Sequence, residues 1–94
     1  MGKIRVEGRL VCANEAQAEI ARTHLPEHIR LSRAEPGNIR FDLAPSDDPL
    51  VWTLSEVFES PEAFAAHQAR TKASTWGQVS GEITRDFTVT EDEA

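Results

Sequence analysis

Ninety-four residues, 39% of them apolar and 28% charged, suffice for one compact domain and exclude a disordered polyelectrolyte or a fibre. No stretch approaches the roughly 18 consecutive apolar residues of a membrane span, and ten Lys and Arg against sixteen Asp and Glu leave a net charge of −6. That balance argues against nucleic acid and anionic membrane as partners, because an acidic surface offers neither of them counterion release.

The opening MGKIRVEGRLVCANE puts charges where a secretion signal has its apolar core, and the single cysteine, Cys12, has no intramolecular disulfide partner. Both features fit a cytoplasmic protein. A first strand is expected from Lys3 to Cys12, where Ile4, Val6, Leu10 and Cys12 alternate with Lys3, Arg5, Glu7 and Arg9. Gly8 falls on the apolar face, which marks a bulge or a close approach by a neighbour. Asn14 is a good N-cap, and Gln17 three residues later completes a capping-box-like pattern for a helix over Glu15 to Arg33. Ala16, Ile20, Leu25 and Ile29 form its apolar stripe, and Pro26 predicts a kink or a restart. Glu35-Pro36-Gly37 ends the helix, with the glycine free to take positive φ.

A second strand is expected from Asn38 to Ala44, a turn at Ser46 to Pro49, and a third strand from Leu50 to Glu59. The third strand carries Trp52, Leu54, Glu56 and Phe58 on one face and Val51, Thr53, Ser55 and Val57 on the other. Ser60-Pro61-Glu62 reads as the start of a second helix, whole or broken, reaching to about Ser80, with Ala63, Phe64 and His67 on one side. Ile83 to Thr90 closes the pattern as a fourth strand. The order is β-α-β-β-α-β, a ferredoxin-like α+β arrangement in which helices cover one face of an antiparallel sheet. Residues 1–90 form a single domain, and 91–94 read as an acidic, disordered tail. Neutral and apolar residues on both faces of the third strand predict an apolar patch on the bare face, and with it a homodimer.

Glu56 breaks the apolar run of its face, so a buried acid there must be paired, hydrogen-bonded or protonated. An ion pair with Arg40 or Arg85, or a place near the sheet edge, is the structural alternative. His67 shares the inward side of the second helix and titrates near neutrality, which suits proton transfer, although a histidine satisfied at a helix–sheet boundary has the same spacing. His24 and His28 stand four apart, but Pro26 lies between them and no third ligand is near, so no metal site is expected and both are read as solvated. Trp52 and Trp76 belong either to the core or to the wall of a pocket for a flat ligand. Cys12 reads as a small buried hydrophobe. The chain has no phosphate loop, CxxC, HExxH, GxSxG or dinucleotide fingerprint, so no cofactor has a visible seat.

Glu35-Pro36-Gly37 followed by Ile39-x-Phe41-Asp42 resembles the E-P-G-C segment that opens the second strand in the antibiotic biosynthesis monooxygenase family. Trp52-x-x-x-Glu56-x-Phe58 and Pro61-Glu62-Ala63-Phe64-x-x-His67 resemble that family's E-x-W/F segment and its A-x-x-x-H helix. The likeness spans roughly Val6 to Val89, with Asn38 where members often have cysteine. It implies a dimeric α+β barrel and a cofactor-free monooxygenase that oxidises a small aromatic or quinol-like substrate with dioxygen. On this chain it points to His67 for proton transfer, with Glu56 orienting it or sharing the proton. Trp52, Phe41, Phe64 and Trp76 would form the walls, with Asn14 and Arg40 as polar contacts. Haem-degrading relatives ligate iron through a histidine in the last helical segment, and Lys72 to Ser80 has none. A dimeric binding module without turnover is the other reading, and it requires no histidine–carboxylate pair at its cavity.

Overall fold

The computed structural model describes residues 2–92. Its elements are β1 (Ile4–Val11), α1 (Glu15–Arg33), β2 (Asn38–Pro45), β3 (Val51–Phe58), α2 (Pro61–Ala73), α3 (Thr75–Val79) and β4 (Thr84–Glu91). The four strands form one antiparallel sheet in the order β2-β3-β1-β4. β4 runs through Glu91, so the first residue expected in the tail belongs to the sheet, and the next, Asp92, is tied just beyond its end by an amide hydrogen bond to the Lys3 carbonyl at 2.8 Å. Glu93 and Ala94 lie outside the described residues.

The caps form as their residue types require. Asn14 Oδ1 accepts from the Gln17 amide at 3.0 Å, and Gln17 Oε1 reaches back to accept from the Ala13 amide at 2.7 Å. The Ser60 hydroxyl accepts from the Ala63 amide at 3.1 Å, with Pro61 opening the helix. α1 passes Pro26 without interruption. The proline is exposed, so water can reach the carbonyl that its missing N–H leaves free. The buried face of α1 is Ala18, Ala21, Leu25, His28 and Ser32; Ala16, expected in the stripe, is exposed.

Two glycines act through close approach. A Cβ on Gly8 would lie 2.1 Å from the Asp86 carbonyl oxygen, so β4 sits tight against β1 at this point, and the neighbour is a strand rather than something packed above the sheet. A Cβ on Gly37 would lie 2.3 Å from the Ala63 Cβ. Gly37 has no positive φ; its contribution is to let the start of α2 press on the turn that follows α1.

The helices cover the face that carries Val6, Leu10, Phe41, Leu43, Trp52, Leu54, Glu56 and Phe58, all buried. The expected apolar patch on the opposite face is not there. The neutral outward residues of β3 are flanked in register by Arg5, Glu7 and Arg9 on β1 and by Arg40 and Asp42 on β2, and exposed ion pairs such as Arg9–Asp86 and Arg40–Asp42 lie across it. No helix among the described residues is long and apolar enough to cross a membrane.

Candidate active site

Glu56 stands on an interior strand, not at an edge. Its register partners are Val6 on β1 and Phe41 on β2, both buried, so the carboxyl sits in a row of apolar side chains in the middle of the covered face. No arginine pairs with it among the described residues. Burial, reinforced by the negative charge of Glu35, pushes its pKa up to about 8. A carboxylic acid at neutral pH is therefore present in the wall, able to donate a hydrogen bond.

Above it, α2 presents His67, buried and ringed by aromatics: the ring centroid is 4.8 Å from that of Phe58, 5.6 Å from Phe41 and 5.8 Å from His28. Its Nδ1–H donates to Glu35 Oε1 at 2.8 Å, which leaves Nε2 as the acceptor. Nε2 lies 3.8 Å from Glu56 Oε1 and 3.5 Å from the Thr71 hydroxyl. The separation from Glu56 is just beyond a direct hydrogen bond, so both groups remain available to a ligand atom between them. Burial holds the imidazole below its ordinary pKa, while the Glu35 carboxylate pulls the other way.

Glu35 is fixed in turn. Its second oxygen is ion-paired with Arg70 Nε, and Arg70 Nη2 donates to the Ser32 hydroxyl at 2.9 Å. The chain Ser32–Arg70–Glu35–His67 joins the end of α1 to the middle of α2, and the contact at Gly37 lets the two ends approach closely enough to make it. Tautomer and ring orientation of His67 are thereby set by residues outside the cavity.

His67 separates two hollows. The inner cavity, about 410 Å³, lies between the covered face of the sheet and α1, α2 and α3, and its wall includes His28, Phe41, Glu56, His67 and Trp76. Its volume falls in the range of about 300–1,000 Å³ usual for small-molecule sites. An outer cleft of about 390 Å³ is lined by Glu35, Arg70 and the other side of His67. Among the described residues, no group of three or more His, Cys, Asp or Glu side chains is placed to hold a metal ion.

The structure brings together His67, Glu56, Phe41, Phe64 and Trp76, all in the wall of the inner cavity. It separates the other three expected site residues from it. Trp52 is buried in the core four positions from Glu56, about 13 Å along the strand. Asn14 is committed to its helix cap, and Arg40 is exposed on the opposite face, paired with Asp42 at 2.7 Å. His28, expected in solvent, is buried in the cavity wall. Burial, with the positive charges of His67, Arg70 and Arg85 adding to it, pushes its pKa down to about 3. Its Nδ1 has no partner among the described residues. The sequence held a signal for His28, since Leu25, His28 and Ser32 continue the three-and-four spacing of Ala18 and Ala21. Glu35 stands in the quoted Glu35-Pro36-Gly37 segment, but nothing local marks it or Arg70 as part of the site, because no short-range rule places a post-helix turn beside a helix 35 residues later.

The family model for antibiotic biosynthesis monooxygenases matches residues 4–78. Among solved structures the chain is similar to Rv0793 from Mycobacterium tuberculosis, with 28% identity, a TM-score of 0.69 and 98% of each chain covered. It is also similar to a conserved protein of unknown function and possible oxidoreductase from Bacteroides thetaiotaomicron, at 24% identity and a TM-score of 0.78, covering 97% of this chain and 98% of that one. SnoaB, a cofactor-independent oxygenase from Streptomyces nogalater, shares the fold at 14% identity and a TM-score of 0.76, covering 100% of this chain and 96% of its own. No curated protein matches. With its family model running from β1 into α3, the chain belongs to the antibiotic biosynthesis monooxygenase family.

Proposed function

We propose that this protein is a cofactor-independent monooxygenase that oxidises a small aromatic or quinol-like substrate with dioxygen. The observation that carries the reading is the placement of His67 Nε2 and Glu56 at one wall of a largely apolar cavity, with Nδ1 braced by Glu35. The fold shared with SnoaB is in keeping with it.

In this reading, His67 Nε2 takes the proton of a phenol or enol, and the Glu35 carboxylate stabilises the imidazolium that forms. The electron-rich anion passes one electron to dioxygen; the substrate radical and superoxide join in a C–O bond, and the peroxide recovers the proton from His67. Removal of the remaining C–H proton with cleavage of the O–O bond leaves a carbonyl and water. One substrate CH₂ and one dioxygen thus become one C=O and one water. Glu56, as an acid, donates a hydrogen bond to the oxygen on which charge develops. A binding module without turnover has no need of a braced histidine beside a carboxyl at its cavity, and their presence here favours catalysis.

The reading includes a homodimer in the cytoplasm. Val89, 52% exposed on the cavity side of β4, and the half-buried Phe87 beside it offer apolar surface that a second copy would cover. Lone, buried Cys12 suits a reducing compartment. Sedimentation velocity is expected to give twice the 10.4 kDa chain mass; a monomer at micromolar concentration would remove this element of the proposal. Oxygen uptake with a panel of hydroquinones and anthrones tests the activity itself. Uptake in step with carbonyl product is expected, and no uptake with any of them would overturn the enzyme reading.

A further inference from the structure

Every arginine except Arg85 lies within ion-pair distance of a carboxylate among the described residues. Lys3, Lys72 and Arg85 are the cations without such a partner there, and two of these three line the inner cavity. Among the described residues, Glu56 is the only acidic one in the wall of that cavity, and it stands at the His67 end.

Arg85 is held in place without being neutralised. Its Nη1–H groups donate to the Ser80 and Ile83 carbonyls at 3.0 and 3.1 Å, its Nη2–H to the Ser80 hydroxyl at 2.7 Å, and its guanidinium lies 5.7 Å from the centre of the Trp76 ring. All these partners are neutral, and among the described residues Nε–H and one Nη2–H are left over. Lys72 is on the same helix as His67, five residues and about 7.5 Å of helix rise further on. Arg85 starts from the β4 end of the sheet, two strands across from Glu56 in the strand order. The cavity therefore has a proton-transfer end at His67 and Glu56 and a cationic end at Lys72 and Arg85.

A protein of net charge −6 repels anions overall, so two unneutralised cations on one apolar hollow constitute a local reversal of sign. With apolar walls between the two ends, the ligand that uses both is a flat, one- to three-ring hydroxyaromatic. We propose that the cavity selects an anionic substrate, a phenol or hydroquinone bearing a carboxylate or similar acidic group remote from the hydroxyl, with Lys72 and Arg85 holding the acid and His67 and Glu56 meeting the hydroxyl. This inference rests on the monooxygenase reading for what happens to the hydroxyl, but not for the binding.

The probe is 6-hydroxy-2-naphthoate, whose two polar groups lie at opposite ends of a two-ring body, compared with its uncharged methyl ester by isothermal titration. The acid is expected to bind at least about tenfold more tightly than the ester. Raising the ionic strength from about 20 to about 500 mM should weaken the acid and leave the ester unchanged. Lys72→Gln, at an exposed position with no structural partner, should lose most of the preference; adding Arg85→Gln should abolish it without changing ester affinity. Equal affinity of acid and ester, no binding of the acid, or a preference that survives both substitutions would overturn the inference. Acid-selective binding in a protein that consumes no oxygen with any quinol would overturn the activity and leave the charge-selective site standing.

Discussion

Glu56→Gln is expected to make the protein more stable than the wild type at pH 8 and about equally stable at pH 5. The folded-state pKa of Glu56 is raised from 4.5 to about 8 by burial between Val6 and Phe41. A group shifted upward in this way contributes fully below its unfolded value and loses that contribution as pH rises through its folded value. Each pH unit within that window costs about 1.4 kcal/mol, so the wild type should lose roughly 2 kcal/mol between pH 6.5 and 8 from this carboxyl. For a domain of this size that is on the order of 10 °C in melting temperature. His28 and His67 act with the opposite sign. Both are shifted down by burial, so their contribution is complete above 6.5 and lost as pH falls, toward about 3 for His28. The combined effect places the stability maximum near pH 6.5. Thermal melts of wild type and Glu56→Gln between pH 4 and 9 check this, and parallel curves would show that Glu56 is ionised in the fold.

His67→Ala is expected to lower oxygen uptake by about 10²- to 10⁴-fold, the usual contribution of a positioned base, with a much smaller effect on substrate affinity. Added imidazole should restore part of the rate, since the cavity stays open where the ring was. Glu35→Gln separates positioning from simple loss of structure. The amide can still accept from Nδ1–H, but the carboxylate that raises the His67 pKa is gone, so the acid limb of the kcat profile should move to lower pH while the plateau falls. A purely structural Glu35 would lower the rate at every pH and leave the limb where it was. Full activity in His67→Ala would remove the imidazole from the chemistry.

The sheet and the two caps were legible because they depend on local rules: two-residue alternation, an Asn or Ser before each main helix, and Pro-Gly after the first. Glu56 was legible as a violation of one such rule, a charge in an apolar row. Alternation fixes which face a residue occupies but not how far along the strand the cavity extends, so Trp52 shares a face with Glu56 yet lies in the core, away from the cavity wall. The family resemblance points to Arg40 as a polar contact, but strand alternation puts it on the outer face of the sheet, away from Phe41, and there it stands exposed. The sequence offers Arg85 as a partner for Glu56, but its actual partners are carbonyls and a hydroxyl of the segment before β4, a choice that depends on the turn's shape.

The titratable side chains of the proposed site, Glu35, Glu56 and His67, come from the turn after α1, a central strand and α2, with His28 of α1 beside them in the cavity wall. Residues 28–67 carry all four but lack β1 and β4, which flank β3 in the sheet, so the site depends on the whole fold and circular permutation should preserve it wherever the new ends leave the sheet intact. Loss of ligand binding during denaturation should coincide with loss of the near-ultraviolet signal of the two buried tryptophans, since cavity and reporters are housed by the same cooperative unit.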